Sequence, residues 1–257
     1  MIDERMIGGL HVEAVRRAGL HAEHEPHVLF QTSTIGALLE GAFDGDVTFA
    51  ELSQHGDLGL GTLNGLDGEM IALEGRFLRA DADGAISPIA PESQTPFAVV
   101  VPFEPAIEFA LDAPLGHDEF LAALDERLAG HGASAAVRVD GHFARVHARS
   151  VPRQAPPYPT LAEAAATQHV FDFTGVEGTL VGFRFPDHVD GLEITGWHLH
   201  FIDAARERGG HVLSCSTGPV RVALDPSSDL HMELPTGVEL GGPGADAGVL
   251  RRIERDP

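Results

Sequence analysis

Glycine and proline recur along the whole chain, and this feature most restricts the folds available to it. The sequence contains 30 glycines and 17 prolines among 257 residues. Both residues are unfavourable inside helices, so helices are expected only in the short segments between them. Turn-rich sheets accommodate both residues at strand ends. We therefore predict a mixed α+β fold in which mixed or antiparallel sheets predominate.

The spacing of hydrophobic residues separates candidate helices from candidate strands. The clearest helix begins near Asp118 and ends before Gly130, which is a typical helix stop signal. The predicted helices cover residues 11–20, 34–43, 48–54, 118–128 and 161–168. The predicted strands include residues 69–79 and 192–202. Residues 135–150 alternate around Asp140-Gly141, a pattern that predicts a hairpin.

A proline-rich segment, PRQAPPYPT at residues 152–160, is the best candidate for a linker. It separates residues 1–151, predicted to form an N-terminal α/β domain, from residues 161–257, predicted to form a β-rich domain. The two-domain division places the histidine motif described below in the second part.

The charge of the chain excludes several classes of partner. Thirty-nine acidic residues oppose 17 basic residues, all of them arginine, giving a formal net charge of −22. A surface this negative repels phosphate backbones and anionic lipids, so we expect neither nucleic acid nor a membrane as a partner. Cys215 is the single cysteine, which excludes an intrachain disulfide. The N-terminal residues lack a signal-peptide pattern, and we expect a cytoplasmic protein.

The sequence WHLHF, residues 197–201, is the sharpest chemical motif. Residues two apart share a face of a strand, so His198 and His200 are expected to project together. The following polar segment ends in Gly209-Gly210 and is suited to bring His211 onto an adjacent strand. Three converging imidazoles are typical of a zinc site with one coordination position left open for substrate. Cys215 is either a fourth, soft ligand or simply a small buried residue.

Longer motifs resemble the alpha-acetolactate decarboxylase family. Residues 196–213, GWHLHFIDAARERGGHVL, are similar to its zinc-binding segment. The sequence HGDLGLGTLNGLDGEMIALEG at 55–75 and the sequence RSVPRQ at 149–154 resemble two further family elements. Similarity extends from about residue 28 to about residue 225, which is most of the chain.

The resemblance implies a set of site residues and a reaction. Zn²⁺ would be bound by the three histidines His198, His200 and His211, near the junction of two domains. The active-site residues would be Thr62, Glu69, Arg149 and, near the C-terminus, Glu254. The implied reaction converts (S)-2-acetolactate to (R)-acetoin and CO2 through a metal-stabilised enediolate, and the implied assembly is a homodimer.

Two other readings use the same histidines. An HxH motif on a strand also occurs in cupins, which bind iron or manganese and often activate oxygen. Glu207 lies seven residues after His200, which is too far for the usual cupin spacing. The second alternative is a non-enzymatic β-domain whose metal only stabilises the fold; it predicts loss of thermal stability, but of no activity, when the metal is removed.

Overall fold

The protein is described by a computed structural model that covers residues 3–16, 24–187, 189, 191–235 and 238. Strands β1 to β8 are Asp3–Ile7, Leu10–Arg16, Val28–Thr32, Val47–Thr48, Leu58–Thr62, Glu69–Leu73, Arg76–Ala80 and Ile86–Pro88. Strands β9 to β16 are Gln94–Thr95, Ala98–Val101, Ile107–Leu111, Ser134–Ser150, His169–Phe185, Gly196–Asp203, Gly209–Ser227 and Asp229–Leu234. Helices α1 to α4 are Ile35–Leu39, Phe49–Leu52, His117–Leu128 and Leu161–Ala165.

The larger sheet has nine strands in the order β1-β2-β16-β3-β10-β5-β6-β7-β8. Its strands are antiparallel except that β16 runs parallel to both of its neighbours, β2 and β3. Apolar side chains on one face of this sheet join the main hydrophobic core, which also includes residues of α1 and α4. The predicted mixed, sheet-dominated fold is confirmed.

The smaller sheet has five strands in the order β11-β15-β12-β13-β14. An additional pairing between β14 and β15 closes the sheet on itself. Its interior is a second core, to which α3 contributes Phe120 and Leu124. The closing pair is short, and it includes His200 opposite His211. Closure therefore brings the histidine motif together.

The proline-rich segment 152–160 connects β12 to α4. Strands β11 and β12 precede this segment and share a sheet with β13, β14 and β15, which follow it. Strand β16 also follows the segment and pairs with β2 and β3 of the larger sheet. Domain boundaries concern independent folding, which strand pairing does not measure, so the division at residues 152–160 stays a prediction.

Short helices begin where threonine side chains cap them. Thr34 accepts a hydrogen bond from the N–H of Ala37 at the start of α1. Thr48 and Thr160 form capping boxes at the starts of α2 and α4. Such caps satisfy N–H groups that have no partner within the helix. The helix predicted at residues 118–128 is confirmed by α3, and α2 and α4 lie within the ranges predicted at 48–54 and 161–168. The helix predicted at residues 34–43 is confirmed only in part, because α1 ends at Leu39.

The helix predicted at residues 11–20 is wrong, because residues 10–16 form strand β2. Leu10, Val12 and Ala14 are buried, whereas His11 and Glu13 are partly exposed, which is the two-residue period of a strand. The pairing that stabilises β2 involves β16, more than 200 residues later in the chain. Residues 17–20 of the predicted helix lie outside the described residues.

Two strand predictions are wrong about where the chain turns. Residues 69–79 form two strands joined at Glu74-Gly75, where both residues have positive φ. Residues 134–150 form the single strand β12 instead of a hairpin. Gly141 provides a β-bulge there, with φ of +146° and a register shift between it and Phe143. A glycine in an alternating segment can mark a bulge as well as a turn.

Candidate metal centre and active site

The histidines of the WHLHF motif lie on one face of β14. Leu199 and Phe201 alternate with them and pack into the core of the smaller sheet. His211 lies on β15, opposite His200 on one side and opposite Arg149 of β12 on the other. The sequence-based prediction that His211 occupies an adjacent strand agrees with this pairing.

Two glycines allow the strands around His211 to approach each other. A Cβ atom at Gly209 would lie 2.5 Å from the carbonyl oxygen of Phe201, and one at Gly210 would lie 2.7 Å from that of Arg149. Neither distance is compatible with a side chain unless the backbone moves. The Gly-Gly pair, which the structure places at the start of β15, thus has a steric reason.

The three imidazoles converge tightly. Their candidate ligand atoms all lie within 4.8 Å of one another, and Nε2 of His198 is 3.2 Å from Nδ1 of His211. Two nitrogens bound to one tetrahedral zinc ion are about 3.3 Å apart, given bond lengths near 2.0–2.1 Å. His198, His200 and His211 are 6%, 1% and 1% exposed. The arrangement can hold a metal ion.

The tautomer of His200 is set by a backbone carbonyl. Its Nδ1 lies 2.8 Å from the oxygen of Met70, which can only accept, so Nδ1 donates and Nε2 carries the lone pair. That Nε2 is buried and has no hydrogen-bond partner among the described residues. Burying an imidazole nitrogen without a partner is unfavourable unless a metal or ligand satisfies it. The donor set therefore fits a metal ion.

The charge state also favours metal binding. Burial lowers the pKa of His200 well below its ordinary value, and the neighbouring His211 and Arg149 lower it further. Burial and Arg149 likewise lower the pKa of His211. Both imidazoles are consequently neutral near pH 7, which is the form that binds metals.

A buried ion pair lies beside the histidines. Nη1 of Arg149 is 3.3 Å from Oε1 of Glu69, and Oε2 of Glu69 is 3.7 Å from Nε2 of His200. Glu69 begins β6 directly opposite Thr62 on β5, so strand pairing brings these two together. The Thr62 hydroxyl donates to the carbonyl oxygen of Gly68 at 2.7 Å. The fold thus gathers six of the seven predicted site residues.

These six residues line one pocket of about 470 Å³, part of which is open to solvent. The larger sheet contributes Thr62 and Glu69, and the smaller sheet contributes Arg149 and the histidines. The remaining wall is mostly apolar and is formed by residues including Ile35, Leu38, Leu66, Phe97, Val151, Leu161 and Ile194. An apolar pocket with few convergent polar groups is typical of a small-molecule site.

The seventh predicted residue, Glu254, lies outside the described residues. Cys215 is buried against His117, with its Sγ 3.7 Å from the Nδ1 of that ring. Burial raises the pKa of Cys215 to about 12, so the thiol remains protonated at neutral pH. The three-histidine group among the described residues does not include this cysteine, which favours the reading of Cys215 as a small buried residue.

Sequence reasoning missed one acidic residue near the metal centre. Glu193 is 1% exposed, and its Oε1 lies 3.9 Å from Nδ1 of His198. The signal available in the sequence was a lone carboxylate between two apolar residues, Leu192 and Ile194, five positions before the first histidine of the motif. Such a residue is costly to bury unless it has a specific partner.

No helix among the described residues is long and apolar enough to cross a membrane.

Comparison with known proteins assigns the chain to a family. The family model of alpha-acetolactate decarboxylase matches residues 29–240. The alpha-acetolactate decarboxylase of Methylococcus capsulatus is 48% identical over 212 residues, covering 82% of each chain. That of Klebsiella aerogenes is 44% identical over 195 residues, covering 76% of this chain and 75% of its own.

Solved structures agree with the sequence comparison. The crystal structure of alpha-acetolactate decarboxylase from Bacillus subtilis strain 168 superimposes with a TM-score of 0.84 at 34% identity, covering 88% of this chain and 99% of that one. A Staphylococcus aureus protein described as similar to alpha-acetolactate decarboxylase gives a TM-score of 0.81 at 31% identity and covers 88% of this chain and 98% of its own. The chain therefore belongs to the alpha-acetolactate decarboxylase family, a family of carboxy-lyases.

Proposed function

We propose that the protein is a zinc-dependent enzyme that converts (S)-2-acetolactate to (R)-acetoin and CO2. The observation that carries this proposal is the three-histidine cluster beside the Glu69–Arg149 ion pair in one pocket. Zn²⁺ would be held by His198, His200 and His211, whose neutral imidazoles leave its full charge available. The names of the relatives provide the substrate class.

The substrate explains why a metal is useful. 2-Acetolactate is a β-keto acid, and loss of CO2 leaves an electron pair that must be taken up by the neighbouring ketone. When bound, the metal supplies Lewis-acid stabilisation of the resulting enediolate. The remaining steps fall to the side chains of the pocket.

Arg149 is suited to bind the negative charge of the substrate. Arg149 is 6% exposed, so the positive charge of its guanidinium is little screened by water in this site. It would hold the carboxylate before CO2 leaves and the enediolate afterwards. The chain as a whole is strongly acidic, and this local cation would offset that repulsion.

Glu69 and Thr62 are suited to proton handling and orientation. Glu69 lies within 4 Å of both Arg149 and His200, and a carboxylate in this position can take up a proton from solvent and pass it to one face of the enediolate. The Thr62 hydroxyl donates a hydrogen bond to the carbonyl oxygen of Gly68. Its oxygen lone pairs can therefore accept a hydrogen bond from the substrate hydroxyl. The apolar wall would contact the two methyl groups.

Four further parts of the proposal rest on family resemblance and sequence. They are the active-site role of Glu254, assembly as a homodimer, a cytoplasmic location and a metal site at the junction of two domains. Glu254 would complete the polar side of the pocket from the C-terminal segment. Light scattering of the purified protein would measure the oligomeric state directly.

The activity is tested with racemic 2-acetolactate and purified protein, before and after chelator treatment and after zinc is restored. We expect acetoin to form, to disappear with the chelator and to return with zinc, and chiral chromatography should identify it as the (R) enantiomer. A folded, zinc-loaded protein that forms no acetoin would exclude the proposed reaction. A strict requirement for O2 would favour the cupin-like alternative.

A further inference from the structure

Glu193 lies behind the metal centre, on the opposite side of the His198 ring. The two nitrogens of this imidazole face different partners. Nε2 points toward the cluster, 3.2 Å from Nδ1 of His211, whereas Nδ1 lies 3.9 Å from Oε1 of Glu193. The inner nitrogen is therefore the one available to a metal, and the outer nitrogen is the one available to the carboxylate.

We propose that Glu193 is a positioning residue that orients His198 and strengthens it as a metal ligand. The inference rests on the proposed metal site and extends it to a residue that does not line the pocket. A carboxylate next to the outer nitrogen of a ligating histidine favours the tautomer with the proton on that nitrogen. It also increases the basicity of the inner nitrogen.

His200 provides an internal comparison. Its outer nitrogen, Nδ1, donates to the carbonyl oxygen of Met70 at 2.8 Å, which leaves Nε2 for the metal. Glu193 would do for His198 what this carbonyl does for His200. The separation of 3.9 Å is longer than a hydrogen bond, and a shift on the order of 1 Å would form one. At the longer distance the carboxylate still acts through its charge, because little water intervenes in a buried site.

The backbone around Glu193 is fixed, which a positioning residue requires. The N–H groups of Ile35 and Gly36, at the start of α1, donate to the carbonyl oxygens of Leu192 and Gly191 at 3.1 and 3.0 Å. The side chain amide of Gln31 donates to Leu192 as well, at 2.8 Å. Three hydrogen bonds from one neighbouring segment thus hold the residues immediately before Glu193.

The balance of charge agrees with a metal beside this carboxylate. The buried charged groups around the histidines include two carboxylates, Glu69 and Glu193, and one guanidinium, Arg149. Burying a carboxylate is unfavourable unless opposite charge is nearby. A divalent cation bound by the three neutral imidazoles would change the net charge of these buried groups from negative to positive. A positive net charge suits an anionic substrate.

The experiment compares Glu193→Gln with Glu233→Gln, a matched control. Glu233 is also a buried glutamate, 2% exposed, but it lies on β16 and does not line the pocket. The Zn²⁺ dissociation constant of each metal-free protein is measured by competition with a chromophoric chelator. Circular dichroism verifies that each variant is folded.

We expect Glu193→Gln to weaken Zn²⁺ binding by about 10- to 100-fold. We expect Glu233→Gln to leave it unchanged. The visible absorption bands of the Co²⁺-loaded protein should also change in Glu193→Gln alone, because these bands report the donor strength of the ligands and not overall stability.

Three results would overturn the inference. Wild-type affinity in Glu193→Gln would exclude the role while leaving the proposed metal site intact. An equal loss in Glu233→Gln would show a general effect of removing a buried carboxylate. Failure of the wild-type protein itself to bind Zn²⁺ would reject both this inference and the zinc dependence proposed above.

Discussion

At the scale of single residues, the site depends on where each polar group is buried and on which groups it faces. Arg149 illustrates the dependence, since it lies opposite His211 in the strand pairing and within 3.3 Å of Glu69. A guanidinium can bind a carboxylate through two parallel hydrogen bonds, whereas an ammonium provides a single point charge. The shape of this cation should therefore matter as well as its charge.

Replacing Arg149 with lysine tests this dependence on shape. We expect Arg149→Lys to lower kcat/KM for 2-acetolactate by about 100-fold, because charge is retained but the planar pair of donors is lost. Steady-state kinetics with acetoin detection provides the measurement. Arg145→Lys, on the same strand but exposed and paired with Asp172, is the matched control and should retain wild-type activity. Equal effects in both variants would argue against a role for Arg149 in substrate binding.

The three histidines could be predicted from short-range patterns, whereas Thr62, Glu69 and Arg149 were predicted only from resemblance to the family. Alternation places His198 and His200 on one face, and the polar segment between β14 and β15 reverses the chain so that His211 lies opposite His200. Glu193 could not be predicted in the same way. Its contact with His198 arises from the path of residues 191–195, which α1 fixes through backbone hydrogen bonds.

At the scale of secondary-structure elements, the close approach of β12, β14 and β15 positions His211. A Cβ at Gly210 would meet the backbone oxygen of Arg149 at 2.7 Å and the ring of Phe171 at 3.0 Å. The strands must separate to accommodate any side chain there. Such separation would move His211 relative to both of its neighbours.

The variant Gly210→Ala should show this effect. We expect it to lower the free energy of unfolding by about 2 kcal/mol, as overpacking does elsewhere, and to weaken Zn²⁺ binding. Chemical denaturation and chelator competition measure the two effects. Gly116→Ala is the comparison variant, since the nearest atom to its added Cβ is the flexible end of Glu119 at 3.6 Å. Full zinc affinity in Gly210→Ala would contradict the proposed steric role.

A second link between elements is electrostatic. Glu74, at the turn between β6 and β7, accepts hydrogen bonds from Arg206 at 2.6 Å and from Arg138 of β12 at 3.1 Å. It therefore joins the larger sheet to the smaller one. The hydrogen bond from Arg206 is the main reason that the pKa of Glu74 is below its ordinary value of 4.5, and Arg138 adds to the effect.

The lowered pKa of Glu74 predicts how the stability of the protein depends on pH. A carboxylate with a lowered pKa stabilises the folded state above its unfolded-state pKa, and the contribution is lost as the pH falls through the folded-state value. Since Glu74 is half exposed, we expect Glu74→Gln to destabilise the protein by about 0.5 kcal/mol at pH 7. Denaturation should show the difference shrinking below about pH 4.5. Glu92→Gln, at an exposed site, should be neutral, and a pH-independent difference would contradict the account.

Helices and strands were predicted correctly where the sequence signal is local. They were predicted wrongly where pairing with another strand determines the structure. α3 is recognisable because its acidic first turn, the helical spacing of its apolar residues and the glycine just after its end are all local features of the sequence. β2 was mistaken for a helix because its strand state depends on pairing with β1 and, more than 200 residues later, with β16. The continuous β12 was mistaken for a hairpin because Gly141 gives a bulge, whose geometry depends on β15.

At the scale of the whole molecule, metal binding and stability should be coupled. The site combines residues of both sheets, and the unfolded chain has no comparable arrangement of three imidazoles. A ligand that binds only the folded state stabilises it by mass action. The pairing of chain-distant strands around the site, which the sequence alone does not reveal, is the basis for this coupling.

Differential scanning calorimetry tests the coupling. With zinc at about 1,000 times its dissociation constant, stabilisation should approach about 4 kcal/mol and the melting temperature should rise by roughly 10 °C. The variant His200→Gln should lose most of this shift. Magnesium, which prefers oxygen ligands, is the control ion and should have no effect. An equal zinc shift in His200→Gln would place the stabilising metal elsewhere.

The most direct test is a zinc titration of the metal-free protein with acetoin formation from 2-acetolactate as the readout. Activity should rise linearly with added zinc and stop rising at about one ion per chain, the capacity of a single three-histidine site. Full activity without metal, or a zinc-saturated protein that forms no acetoin, would rule out the proposed zinc-dependent reaction.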